Sequence, residues 1–141
     1  MIKKIILPIT VILLATILIF SGCTTSSSSC DSAASQLTDG SQISDSISAN
    51  LFSKLYSVYV PSGTSSLTVV LDNLQADFDL YIGYGSIESL QGEDYDWRSN
   101  NYGTSSESIT VSNPQEGCYY IQITDYSNVG GSFSLVANVY E

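Results

Sequence analysis

The chain has 141 residues and a formal charge of −10, from 14 acidic and 4 basic side chains, and it contains no histidine. Without an imidazole, the Ser–His and Cys–His nucleophile pairs of many hydrolases are excluded. So acidic a chain repels phosphate groups, which excludes nucleic acid and anionic lipid head groups as partners.

The first 22 residues have the features of a secretory signal peptide. Lys3 and Lys4 precede an apolar run from Ile5 to Phe20. At about 24 Å, this run is too short to cross the ~30 Å hydrocarbon core of a bilayer, and it is typical of a signal-peptide h-region. An uncleaved anchor and an ordinary secretory signal are the alternatives. Each of these interpretations places the following residues outside the cytoplasm.

The segment FSGC, from Phe20 to Cys23, resembles the lipobox of prokaryotic lipoproteins. In that motif the cysteine is acylated and becomes the mature N-terminus, so the resemblance implies that Cys23 carries lipid. Two or more acyl chains make a stable membrane anchor. Loss of Lys3 and Lys4 with the signal changes the formal charge from −10 to −12.

Residues 23–36 comprise the lipidated cysteine and a stretch that is rich in Ser and Thr. Such a stretch buries too little surface to offset its ordering entropy, and we expect a flexible tether. Cys30 lies in this tether and Cys118 in the following domain. An even pair of cysteines outside the cytoplasm is a candidate disulfide. The sequence leaves open whether these two thiols are bonded.

Residues 37–141 are long enough for one domain with one core. From Leu51 onward, apolar and polar residues alternate in short runs that Gly, Pro and Asn separate, and no stretch keeps a helical period. The apolar faces are Tyr56, Val58 and Val60; Leu67, Val69 and Leu71; Phe78, Leu80 and Ile82; Ile109 and Val111; Tyr119, Ile121 and Ile123; and Phe133, Leu135, Ala137 and Val139. The pattern predicts an all-β, antiparallel β-sandwich.

Five segments follow one another along the chain: VPSGTSSLTVVL, ADFDLYIGYG, YDWRS, SSESITVSNPQEGCYYIQITDYS and GGSFSLVANV. In order and spacing they resemble the bacterial pre-peptidase C-terminal (PPC) domain family. The segment LTDGSQISDSI, from Leu37 to Ile47, is similar to the family's opening strand pair. This resemblance covers residues 37–141 and implies a jelly-roll-like β-sandwich. It also implies a non-catalytic module, and the related collagen-binding modules bind calcium and fibrous protein.

Asp77 and Asp79 lie two residues apart, on the polar face of a predicted strand. Calcium takes about six to eight oxygen ligands, and a nearby acidic segment adds Asp94 and Asp96. These four carboxylates are a candidate calcium site, and no other cofactor is expected. The alternatives are that Asp77 and Asp79 face water, bond loop amides or pair with Arg98.

Ten tyrosines and one tryptophan exceed what the core of a small domain needs. Tyr84, Trp97, Tyr102 and Tyr126 are a candidate ligand platform, because they lie in or beside predicted loops, where exposed rings stack on sugars or contact proteins. Packing at the rim of the sandwich is the alternative. For Trp97, which lies in the segment YDWRS, the family resemblance favours the structural role.

The sequence therefore predicts a non-catalytic, lipid-anchored module at the extracytoplasmic surface of a membrane. Its expected ligand is a polysaccharide, a matrix protein or a partner protein. The competing interpretation is a structural surface lipoprotein that calcium and the acidic shell stabilise and that has no dedicated ligand.

Overall fold

The structure is a computed structural model that describes residues 29–92 and 94–141. The predicted signal peptide, Cys23 and the first part of the tether lie outside these residues. The described residues form no helix that is long and apolar enough to cross a membrane.

The described part of the chain is almost entirely strand and turn. A short 3-10 helix (Ile87–Leu90) lies between the fifth and sixth strands. The strands are β1 (Ser35–Gln36), β2 (Ile43–Ile47), β3 (Ser53–Val60), β4 (Ser66–Asp72), β5 (Phe78–Tyr84), β6 (Trp97–Ser99), β7 (Glu107–Ser112), β8 (Gly117–Asp125) and β9 (Gly131–Tyr140).

These strands form two sheets that pack face to face. The first sheet has the order β1-β3-β8-β5-β6, and the second has the order β2-β9-β4-β7. Every pairing between described strands is antiparallel except that of β1 with β3. Most connections cross from one sheet to the other, and the predicted all-β sandwich is confirmed.

The core lies between the sheets, where the period-two pattern of the sequence places it. Leu67, Val69 and Leu71 of β4 are fully buried, as the alternation predicts. Phe78 of the first sheet meets Phe133 of the second edge to face, with 5.6 Å between ring centres. Each such side chain contributes about 1.5–3 kcal/mol through burial, so the apolar faces hold the sheets together.

The N-terminal segment differs from the expected flexible tether in its last residues. Ser35 and Gln36 pair in parallel with β3, and Ala34 is buried. A disulfide joins Cys30 to Cys118, near the start of β8. The small and hydroxyl side chains of this segment predict disorder, because they bury little apolar surface. The disulfide instead holds the segment against the sheet.

Among the described residues, cover on the outer face of the first sheet lies at one end. There the 3-10 helix and the N-terminal segment place Leu90 and Ala34 against Tyr120 of β8. Gly83 of β5 permits this approach, because a Cβ atom at that position would collide with the Ser89 side chain. The cover stops there, and the opposite end of this face lies beside loops.

We call that opposite end of the sandwich the loop end. It comprises residues 48–52, 73–77, 100–106 and 126–130. Two backbone hydrogen bonds connect its loops: the amide of Asp125 donates to the carbonyl of Phe52 at 3.0 Å, and the amide of Tyr126 donates to the carbonyl of Asp77 at 2.9 Å. The disulfide lies at the other end of β8.

Candidate functional site

A hollow of about 380 Å³ opens at the loop end, beside the start of β5. It is lined by carboxylates, side-chain amides and tyrosine rings: Asp77, Asp79, Asn100, Asn101, Tyr102 and Tyr126. Four of these residues were predicted from the sequence for two separate roles, the aspartates as calcium ligands and the tyrosines as a platform. The structure brings both groups together, and we call this place the acidic–aromatic hollow.

Asp79 is the most buried acid of the hollow, with 8% of its surface exposed. Burial raises its pKa above the ordinary 3.8. The hydroxyl of Tyr81, which donates a 3.0 Å hydrogen bond to Oδ2 of Asp79, opposes this rise. The carboxylate of Asp77 raises the pKa further, and the charge of Arg98 lowers it. The hollow therefore contains a partly desolvated carboxylate that a cation would stabilise.

Glu107 fixes the loop that carries Tyr102. Its side chain is fully buried and accepts hydrogen bonds from the backbone amide of Asn101 at 2.6 Å, from Nδ2 of Asn101 at 3.1 Å and from the hydroxyl of Ser99. Burial raises the pKa of Glu107 above 4.5 against the effect of these hydrogen bonds. Tyr102 itself is 94% exposed, so a rigid base presents a ring that contacts little else.

Asp125 does the same for the loop that carries Tyr126. Its buried carboxylate accepts hydrogen bonds from the hydroxyl of Ser127 at 2.8 Å, from the amide of Asn128 at 2.9 Å and from the amide of Gly130 at 2.7 Å. The ring of Tyr126 is 74% exposed. Both exposed tyrosines thus lie on loops that a buried acid organises.

Glu107 and Asp125 were not among the residues predicted from the sequence, although the sequence around each contains a signal. Glu107 is in period-two register with Ile109 and Val111, which places it on the buried face of its strand. Asp125 precedes the turn segment YSNVGG, where an aspartate commonly bonds nearby backbone amides. A buried acid in such a position indicates a loop that must be held in one conformation.

The four predicted calcium ligands do not come together. Asp96 accepts a 2.8 Å hydrogen bond from the amide of Tyr84, at the far end of β5 from Asp79, and Asp94 is exposed before β6. An extended strand of five residues separates the two places by about 17 Å. Within residues 29–92 and 94–141, no three His, Cys, Asp or Glu side chains form a group suited to a metal ion. Calcium at Asp77 and Asp79 stays a prediction.

The four predicted platform residues divide into two pairs. Trp97 and Tyr84 lie at the end opposite the hollow, are half-buried and pack against the core. Their ring centres lie 6.0 Å and 5.1 Å from that of Tyr119. These two rings pack as the alternative describes and also line a second hollow of about 210 Å³, so their platform role stays a prediction. Tyr102 and Tyr126 are exposed at the acidic–aromatic hollow.

Neither basic side chain of the domain forms an ion pair with the acids of the hollow. Nζ of Lys54 lies 2.6 Å from Oδ1 of Asp45. Arg98 donates a 2.9 Å hydrogen bond to the hydroxyl of Tyr95, and its guanidinium carbon lies 5.7 Å from the centre of that ring. Among the described residues Arg98 makes no carboxylate ion pair, so the hollow keeps its negative charge.

A sequence profile of the bacterial pre-peptidase C-terminal domain matches residues 52–125, which span β3 to β8. The chain belongs to this family. The resemblance seen in the sequence is thereby confirmed. The sandwich extends beyond the match, because β9 pairs with both β2 and β4 in the second sheet.

Two solved structures share the fold of the PPC domain. One is the pre-peptidase C-terminal domain of a collagenase from Bacillus anthracis, with a TM-score of 0.60 and 14% identity over 74% of this chain and 94% of that one. The other is PliG from Aeromonas hydrophila, a periplasmic inhibitor of g-type lysozyme, with a TM-score of 0.59 and 14% identity over 76% of this chain and 96% of that one. No curated protein sequence matches significantly. At this identity, the similarity establishes the fold alone.

Proposed function

We propose that this chain is a non-catalytic accessory module that is anchored through lipid on Cys23, faces away from the cytoplasm and binds a polysaccharide or protein ligand at its loop end. The acidic–aromatic hollow is the observation that carries the proposal. Membership of a family of accessory domains supports the absence of catalysis.

The hollow has the chemistry of a binding surface. Tyrosine rings offer a large contact area with few rotatable bonds, and they cover either a sugar face or an apolar side chain. Carboxylates and amides accept hydrogen bonds from hydroxyl or ammonium groups. Because Glu107 and Asp125 already hold the loops of Tyr102 and Tyr126, ligand binding orders little further backbone.

A structural neighbour adds support for a protein ligand. PliG from Aeromonas hydrophila is an inhibitor of g-type lysozyme, so the same sandwich serves protein recognition there. That inhibitor is 14% identical to this chain, and its partner is not transferred.

The competing function is a structural surface lipoprotein without a dedicated ligand. The disulfide and the acids Glu107 and Asp125 favour it, because they stabilise the fold whether or not a ligand binds. Under this alternative the exposed rings of Tyr102 and Tyr126 are not part of a binding site.

Glycan and protein arrays probed with the full-length protein in detergent separate these functions. We expect wild-type binding that falls at least about tenfold in the Tyr102→Ala/Tyr126→Ala variant, a loss of about 1.4 kcal/mol. Tyr140→Ala is the matched control, because Tyr140 is 51% exposed at the opposite end. Unchanged binding by the double variant would exclude the hollow as the site, and the absence of any ligand would favour the structural function.

The anchor and the metal are tested separately. Palmitate labelling in the producing cell is expected for the wild type and absent for Cys23→Ser; retained label in that variant would contradict the lipobox. If calcium binds at Asp77 and Asp79, calorimetry shows a heat of binding that Asp77→Asn/Asp79→Asn removes. No heat with calcium, together with an unfolding temperature that a chelator leaves unchanged, would refute the calcium site.

A further inference from the structure

The exposed apolar side chains of the PPC domain gather at the loop end. Among the described residues, the exposed large hydrophobic side chains are Leu51, Phe52, Tyr102, Tyr126, Val129 and Tyr140. All of them except Tyr140 lie in the loop end. Single exposed hydrophobic residues are ordinary, but a group of them on one part of an acidic surface indicates an interaction site.

The loops that carry these side chains form one surface. Asp125, which precedes Tyr126, is hydrogen-bonded through its amide to the carbonyl of Phe52. Gly130 lies so close to Ala49 that a Cβ atom would meet the Ala49 amide at 2.5 Å, which joins the loop of Val129 to the loop of Leu51 and Phe52. The apolar group therefore adjoins the acidic–aromatic hollow.

We propose that the loop end is a protein-docking surface, and that the partner places a lysine or arginine side chain in the acidic–aromatic hollow while apolar residues around that side chain pack on Leu51, Phe52 and Val129. This inference rests on the proposed binding function and narrows its ligand from a polysaccharide or protein to a protein with a cationic, apolar-flanked patch.

The negative charge of the hollow favours a lysine or arginine side chain of the partner. Asp77 and Asp79 face the hollow, and neither forms an ion pair with a described basic residue. An ammonium or guanidinium group in the hollow donates charge-assisted hydrogen bonds to the carboxylates. It also lies near the exposed rings of Tyr102 and Tyr126, whose faces attract cations.

The apolar residues favour a protein over a polysaccharide. Leu51, Phe52 and Val129 offer no hydrogen bond from their side chains, so they would leave the hydroxyl groups of a sugar without partners. Leucine, phenylalanine or valine side chains of a protein would instead bury this apolar area. A membrane surface fits poorly, because anionic head groups would meet the carboxylates of the hollow.

A phage-displayed library of random peptides, selected on full-length protein in detergent, tests the inference. We expect enrichment of peptides in which a lysine or arginine is flanked by aromatic or aliphatic residues. The enriched peptide should lose at least about tenfold in affinity when its cation is replaced by glutamine. The same loss is expected when the protein carries Asp77→Asn/Asp79→Asn.

The Asp→Asn changes keep the size of both side chains, and Glu88→Gln/Glu141→Gln is the control that removes the same charge from exposed sites outside the loop end. Equal losses in both variants, or enriched peptides without a cation, would overturn the inference. Binding of a neutral glycan at the hollow without any peptide would overturn it and leave the proposed function intact. The absence of both kinds of ligand would overturn both.

Discussion

Buried acids that bond backbone amides are the residues on which the loop end depends. Asp125 accepts hydrogen bonds from two backbone amides and one hydroxyl, and Glu107 accepts them from the backbone and side chain of Asn101 and from Ser99. An amide without a partner in a buried loop costs free energy comparable to a lost hydrogen bond. Each acid therefore selects one conformation of the loop beside it.

Replacing Asp125 with Asn tests this role. The substitution keeps the size of the side chain but replaces one acceptor oxygen with an NH₂ donor, which would face an amide donor of the same loop. We expect the free energy of unfolding to fall by about 1.5–3 kcal/mol, measured by urea denaturation. Asp94→Asn, at an exposed site, is the control. Equal stability of both variants would show that the carboxylate of Asp125 does not hold the loop.

At the scale of elements, the sequence predicted what depends on periodicity. The buried faces of β4, β5 and β8 follow the alternation of Leu67 to Leu71, Phe78 to Ile82 and Tyr119 to Ile123. It did not predict β1 or the 3-10 helix, since a two-residue strand and a four-residue helix are too short to show a period. Both are held by tertiary contacts, which a local pattern does not contain.

The disulfide is the strongest constraint on the N-terminal segment. The bond between Cys30 and Cys118 closes a loop of 88 residues, for which the loss of chain entropy in the unfolded state sets a ceiling of roughly 4–5 kcal/mol. We expect Cys30→Ser/Cys118→Ser to lower the free energy of unfolding by up to that amount. Hydrogen exchange should speed up first at the amide of Leu37, which follows β1 and donates a hydrogen bond to the carbonyl of Ser57. Unchanged exchange there would mean that the segment docks without the bond.

Gly83 is the point where the 3-10 helix contacts β5. Its φ angle is not in the positive range, so an alanine would strain the packing and not the backbone. We expect Gly83→Ala to destabilise the domain by about 1–3 kcal/mol, because its Cβ atom would overlap Ser89. Adding Ser89→Gly should restore part of the loss in thermal unfolding. If the double variant regains no thermal stability, overlap with the Ser89 side chain is not the cause of the destabilisation.

At the scale of the whole molecule, the hollow depends on contacts between distant parts of the chain, which the alternation within one strand does not predict. The alternation correctly placed Asp77 and Asp79 opposite the core, but it predicted neither the burial of Asp79 nor the meeting of these acids with Tyr102 and Tyr126. Those residues come from β5 and three loops, and their proximity depends on the pairing of β5 with β6 and β8. The family resemblance favoured the structural role for Trp97, but the distribution of aromatic residues along the chain did not separate Tyr84 from the exposed rings.

Folding shifts the pKa values of Glu107 and Asp45 in opposite directions, so the two carboxylates change the stability of the domain with opposite signs as the pH changes. The folded state raises the pKa of Glu107, chiefly by burial, so it binds this proton more tightly than the unfolded state does. Burial also acts to raise the pKa of Asp45, but hydrogen bonds from Lys54, Tyr56 and the Ser46 amide hold it below 3.8. The contribution of Asp45 is therefore present above pH 3.8 and is lost as the pH falls through its lowered pKa.

Glu107 contributes with the opposite sign. As the pH rises from 4.5 through its raised pKa, the folded state loses stability relative to a chain with a neutral residue there. We expect the free energy of unfolding of the wild type, minus that of Glu107→Gln, to decrease across this interval. Urea denaturation at several pH values measures the difference. A difference that does not change with pH would contradict a raised pKa.

The Cys30–Cys118 bond also determines which part of the sandwich lies nearest the lipid proposed at Cys23. Seven peptide units separate Cys23 from Cys30, and even fully stretched they reach about 25 Å at most. From Cys118, the chain then travels about 26 Å along β8 to Tyr126. In a lipidated protein the disulfide end of the sandwich would therefore lie nearest the membrane. The loop end, with Tyr102 and Tyr126, would point away from the membrane, where an extracellular ligand could reach it.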